Sequence, residues 1–97
     1  MAVEIKIAAD GPTKEFTATN SFSVVLDGTF GGGTVTLQER LDDGTFHDVT
    51  LSPKAAPDDY IADNFGVNIY RFNASGTTSP DITIALKGNI RNNRANL

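Results

Sequence analysis

Residues 22–40 read FSVVLDGTFGGGTVTLQER, two stretches of alternating apolar and polar residues around a glycine-rich bend, followed at once by Asp42-Asp43-Gly44. Phe22, Val24 and Leu26 share one parity, as do Val35 and Leu37, while Thr34, Thr36, Gln38 and Arg40 take the other. A period of two sends successive side chains to opposite faces of a strand and leaves no helical stripe. The segment therefore predicts a β-meander. Asp43-Gly44 marks a hairpin, because both residues tolerate the positive φ that tight turns require.

The same period recurs along the chain. Val3, Ile5 and Ile7 alternate with Glu4 and Lys6 in a first strand that Asp10-Gly11-Pro12 should end. A Thr- and Phe-rich strand is expected over residues 15–19, with Asn20-Ser21 connecting it to an antiparallel neighbour over 22–27. Residues 45–51 should return along 34–40, 53–59 should form a surface loop, 60–65 a short strand or helical turn, and 67–74 another strand. After a polar turn over 75–80, Ile82, Ile84 and Leu86 oppose Thr83, Ala85 and Lys87, which predicts a central strand. The sum is seven or eight short strands and no helix: an all-β fold, an antiparallel β-sandwich of Ig-like or jelly-roll-like form. Tyr70 and Phe72 are placed to close one end.

With 97 residues, 39% of them hydrophobic, the chain has material for one domain with a modest core. The division is a sandwich over residues 1–88 and a polar tail over 89–97. Cysteine is absent, so neither disulfides nor thiolate metal sites assist that core, and help from neighbouring copies, as a dimer or trimer, is expected. No stretch approaches the roughly 18 apolar residues of a membrane span, and no basic-then-apolar leader opens the sequence. The expectation is a soluble protein with no membrane partner. A net charge of −4 opposes a phosphate backbone, so nucleic acid is not expected either.

Candidate chemistry is sparse. Gly31-Gly32-Gly33 precedes a strand rather than a helix, which suits a wide hairpin or bulge and not a phosphate cradle. His47 is the sole histidine, and Asp48 beside it should point to the opposite face, so no dyad is expected and a small hydrolase ranks last among the readings. Asp58, Asp59 and Asp63 are the best calcium candidates, yet their spacing fits no EF-hand loop, and solvated aspartate is the plainer reading. No catalytic, cofactor or metal site is expected. Most aromatics should be core, with Phe30 at the glycine loop and Tyr60 after the acidic loop as exposed anchors for a protein partner. The tail, NIRNNRANL, has few apolar residues and no aspartate or glutamate; Ile90, Arg91, Arg94 and Leu97 are its candidate contacts with a neighbouring copy, alongside Phe30, Gly31, Gly32, Gly33 and Tyr60.

The run FSVVLDGTFGGGTVTLQERLDDGTFHDV, with the later VNIYRFNASGTTSPDITIALKGN, resembles small β-sandwich proteins encoded among the virion genes of tailed bacteriophages. The shared elements are a Gly-Thr-Phe-Gly-Gly bend, a Val-Thr-Leu-Gln strand, an Asp-Gly-Thr-aromatic hairpin and a late strand ending in Lys-Gly. The resemblance implies a non-enzymatic structural role in the virion after synthesis in the host cytoplasm. A capsid decoration (cement) protein contacting capsid or other virion proteins comes first, and a carbohydrate- or receptor-binding module of a tail or tail fibre is the alternative.

Overall fold

The computed structural model describes residues 2–49 and 52–92. Eight strands follow one another: β1 (Ala2–Ile7), β2 (Gly11–Pro12), β3 (Phe16–Thr29), β4 (Thr34–Arg40), β5 (Phe46–Asp48), β6 (Asp58–Ala62), β7 (Val67–Ser75) and β8 (Asp81–Asn92). Every pairing is antiparallel, and no helix occurs among the described residues. The strands form one continuous sheet in the order β1-β8-β3-β7-β4-β5, with β2 added to β7 and β6 added to β3. This sheet curls into a half-barrel, so the two layers of the sandwich are two parts of one hydrogen-bonded surface. The all-β antiparallel expectation holds.

The curl originates in β3, which is 14 residues long. One edge pairs with β8 along its whole length, from Phe16↔Asn92 to Thr29↔Asp81. The other edge changes partner: residues 16–19 pair with β7 and residues 22–26 with β6. At the change the register jumps from Ala18↔Ile90 to Phe22↔Gly88, so Thr19, Asn20 and Ser21 together face Asn89. This is a β-bulge with two extra residues, and Asn20 takes the strained φ of 68° that lets the strand bend. Two extra residues preserve parity, so Phe16, Ala18, Phe22, Val24 and Leu26 all face inward. Residues 15–19 and 22–27 are therefore halves of one bent strand and not antiparallel neighbours. Asn20-Ser21 looks the same in a bulge as in a hairpin, which is why the sequence pointed to the wrong one.

The inward rows meet in a single core. Phe16 sits at its centre, edge-on to Phe22 at 5.7 Å and stacked near Tyr70 at 5.9 Å and Phe72 at 5.7 Å. Tyr70 and Phe72 thus belong to the middle of the core rather than to a lid at one end. Ile82, Ile84 and Leu86 are fully buried on β8, which lies between β1 and β3, so the central strand is where the alternation placed it. Gly11–Pro12 does more than end β1: it pairs with Ala74 and Asn73 as a short edge strand. Between β4 and β5 the Asp43-Gly44 hairpin forms as expected, with Leu41 N donating to Thr45 O at 2.7 Å and Gly44 at φ 90°. The return strand is shorter than 45–51, and β6 begins inside the expected 53–59 loop.

A tail starting at residue 89 does not hold. β8 continues through Asn92 against the first residues of β3, and Ile90 is buried with the core because bulged β3 brings Ala18 opposite it. Arg94 and Leu97 lie outside the described residues.

The turn over 75–80 is tied to the end of β1 by Asp10, whose Oδ1 accepts from Thr77 N at 3.0 Å and also from Thr77 Oγ1. The Thr77 hydroxyl, then its backbone N–H, hold this exposed carboxyl below its ordinary value of 3.8. A lowered folded-state pKa gives stability that is present above the unfolded value and lost as pH falls through the folded one. Asp10→Asn is therefore expected to melt below the wild type above about pH 4, with the gap closing as the pH is lowered further. Melting temperatures from pH 2 to pH 7 check this; a gap independent of pH would sink it.

Candidate functional site

Residues 63–66 carry the chain from β6 to β7 across the bulge of β3, where the regular ladder is interrupted. Asn64 replaces the ladder with its side chain. Its Nδ2 donates to Asn20 O at 3.0 Å, Gly66 O at 3.1 Å and Ala18 O at 3.3 Å. Its Oδ1 accepts from Asn68 Nδ2 at 2.6 Å and from Tyr70 OH at 3.0 Å, and its backbone N–H donates to Ser21 Oγ at 3.2 Å. Asn20 N closes the bulge by donating to Gly66 O at 3.1 Å, and Asn68 Nδ2 reaches Phe65 O at 3.2 Å. Burial first, and the Glu39 carboxylate second, push the Tyr70 hydroxyl up to about 12, so it remains a donor to Asn64 at neutral pH. The amide group fits because it offers donors and an acceptor at once, a combination no carboxylate or aliphatic side chain provides.

This braced turn holds out an aromatic ring. Phe65 is 96% exposed, Val67 two residues later is 67% exposed and Leu41 on the neighbouring hairpin is 43% exposed. Leu41, Val67 and Ile69, with Arg40, Asp42 and Asn68, line a shallow depression of about 280 Å³. Ile61, on β6 just before the turn, is also exposed at 63%. Single exposed apolar residues are ordinary, but a cluster with an aromatic at its tip is the composition of a docking surface. Asp42 and Arg40 are the charged residues of its lining, and Arg40 lies 3.7 Å from Glu15.

The candidates read from the sequence fall elsewhere. Phe30 is 5% exposed, so it is a core residue and not an anchor. The glycine bend is packed: Gly33 is buried, a Cβ there would strike Ser75 O and the Gly76 backbone, and a Cβ on Gly31 would strike Thr78. Thr78 N donates to Gly31 O at 3.0 Å, so these glycines serve close backbone approach, and Gly32 alone of the three is exposed. Tyr60 is half-buried, its hydroxyl buried without a hydrogen-bond partner among the described residues, and burial, with the Asp58 carboxylate second, pushes its pKa up to about 12. The Lys54 ammonium sits 5.1 Å from its ring and 3.0 Å from Asp58. Tyr60 is part of a packed corner. Ile90 is core, and Arg91 is exposed on β8.

His47 pairs with Glu39 across β4 and β5, while Asp48 accepts from Gln38 Nε2 at 2.9 Å, so the two neighbours serve different faces. Among the described residues no three His, Cys, Asp or Glu side chains gather as metal ligands. Sequence reasoning missed Phe65 because it read residues 60–65 as a short strand or helical turn and assigned most aromatic rings to the core. The available signal was Asp63-Asn64-Phe65-Gly66 itself, an aromatic enclosed by turn-forming residues, where a ring has no core to enter.

No helix among the described residues is long and apolar enough to cross a membrane. Comparison of the chain with protein-family models, curated proteins and solved structures finds no match.

Proposed function

We propose that this chain is a non-enzymatic assembly protein, a virion structural component of the capsid-decoration kind, that docks on its partner through the Phe65 end. The observation that carries the docking role is Phe65, an exposed ring on a turn whose backbone the Asn64 and Asn68 hydrogen bonds fix. A turn already held in place loses little backbone entropy on binding, and aromatic anchors dominate interface energies. The virion setting is supported by the likeness of residues 22–49 and 67–89 to small phage β-sandwich proteins.

The test is binding to expanded, undecorated tailed-phage capsids, followed by light scattering and co-sedimentation. The wild type is expected to bind at a fixed stoichiometry. Phe65→Ser, which touches no core residue, is expected to weaken binding by about tenfold to a hundredfold while leaving the melting temperature nearly unchanged. Capsid binding untouched by Phe65→Ser would remove the docking site from the proposal, and no binding to any capsid would remove the virion setting.

A further inference from the structure

We infer that the outer edge of β1 pairs antiparallel with β1 of a second copy about a two-fold axis at Ile5, making a dimer with one sheet running through both molecules. This interface lies on a different element from the Phe65 turn and does not rest on the docking reading.

β1 pairs with β8 from Ala2↔Lys87 to Ile7↔Ile82 and with no other described strand. Its second edge therefore offers unpaired backbone N–H and C=O groups, which is a template for another strand. Proteins usually blunt such an edge with proline, a bulge, charged side chains or a covering segment; β1 has neither proline nor a residue of positive φ, and its two charges, Glu4 and Lys6, are of opposite sign and can pair with those of a second copy. Beside the edge lies an open groove of about 340 Å³ lined by Glu4, Ile5 and Lys6 of β1 and by Pro12, Thr13 and Lys14, so β1 is not covered there by a paired strand. Val3 and Ile5 are only partly buried there, packed against the core but not closed over.

Charge selects both the occupant and its register. Two identical antiparallel strands in one sheet are related by a two-fold axis normal to the sheet, and that axis must pass through a pair of equivalent residues for facing side chains to share a side. With the axis at Glu4, glutamates face each other; with it at Lys6, lysines do. With the axis at Ile5, Glu4 faces Lys6 of the second copy and Lys6 faces its Glu4, both on the solvent side. Val3 then faces Ile7 of the second copy and Ile5 faces Ile5 on the core side, which covers the half-open apolar row. Lys6 Nζ donates to Thr83 Oγ1 of β8 at 2.8 Å, on the solvent face but towards the paired side of β1, so the ammonium exchanges this bond for the Glu4 carboxylate of the second copy when the dimer forms. The segment Val-Glu-Ile-Lys-Ile is complementary to itself in both hydrophobicity and charge.

Light scattering or sedimentation equilibrium of the whole chain at about 100 µM, above the micromolar affinity reasonable for a small interface, is the test. The wild type should be a dimer. Lys6→Glu and Glu4→Lys, each of which turns both cross-strand pairs into like-charge pairs, should each weaken dimerisation by about tenfold or more. The double exchange Glu4→Lys with Lys6→Glu restores opposite charges at every pair and should restore the dimer. A monomeric wild type, single reversals without effect, or a double exchange that stays monomeric would each overturn the inference. Phe65→Ser should leave the dimer intact, and its loss in that variant would move the interface to the other end. Should a charge variant fail to fold by circular dichroism, amide exchange of the wild type decides: protection over residues 2–7 should rise with protein concentration, and protection independent of concentration would refute the pairing.

Discussion

Asn64→Asp is expected to destabilise the protein by about 2–4 kcal/mol although it replaces a single NH2 group by oxygen. The Nδ2 position faces the carbonyl oxygens of Ala18, Asn20 and Gly66. A carboxylate oxygen there is an acceptor among acceptors, and it carries charge as well. The remaining oxygen still receives Asn68 and Tyr70, so the loss is confined to the donor side. Facing carbonyls raise the folded-state pKa of the introduced acid. The penalty is then fully present above that raised value and shrinks as pH falls towards the unfolded value, where the protonated acid regains one donor. Urea unfolding at pH 7 and near pH 4 measures both parts. Asn64→Ala, which leaves the carbonyls without a donor but adds no charge, should be less damaging at pH 7. If both variants unfold within about 0.5 kcal/mol of the wild type, the amide is a passenger on the turn. The same substitution should loosen Phe65, so partner binding is expected to fall even at temperatures where the variant remains folded.

Phe16→Ala is the second large effect, expected to cost about 3–5 kcal/mol. Phe16 is 1% exposed and touches Phe22, Tyr70 and Phe72, so one truncation removes three ring contacts and leaves a void bounded by both layers. A domain of this size has about 5–15 kcal/mol of stability in total, and the melting temperature should drop by roughly 15–25 °C. Phe16→Leu, which keeps most of the volume, should lose less than half as much. Urea unfolding with an unchanged slope and a lowered midpoint identifies a stability effect rather than a change of denatured state. A Phe16→Ala variant with a midpoint near the wild type would show that Phe22 and Phe72 collapse to fill the space.

The strands were legible where one face is buried and the other wet. Ile82, Ile84 and Leu86 announced β8, and Val35 and Leu37 announced β4, because a period of two survives any rearrangement of neighbours. Partner identity was not legible in the same way. Asn20-Ser21 is compatible with a bulge or a turn, and the choice was made by a residue 44 positions away, when Asn64 Nδ2 supplied a donor to Asn20 O. Ile90 looked like a polar tail because its neighbours are asparagine and arginine, yet one isoleucine opposite Ala18 was enough to carry β8 past the expected boundary. Phe30 looked exposed because it borders three glycines, but Gly31 and Gly33 let two backbones approach, and close approach buries whatever adjoins it. The exposure of Phe65 was hidden for the reverse reason: it belongs to an apolar residue type that strand reasoning sends inward, and its exposure follows from a turn that only the folded chain creates.

The placement of β8 between β1 and β3 has a consequence for the order of events during synthesis. The ribosome makes β1 through β7 before it makes the strand that joins β1 to β3, and those two have no pairing with each other to hold them meanwhile. Until residues 81–92 emerge, the apolar rows of β1 and β3 lack the strand that lies between them. Folding of this layer therefore awaits β8, and until then the nascent chain carries two open edges, a state in which chaperone binding or high local concentration of copies decides between assembly and aggregation.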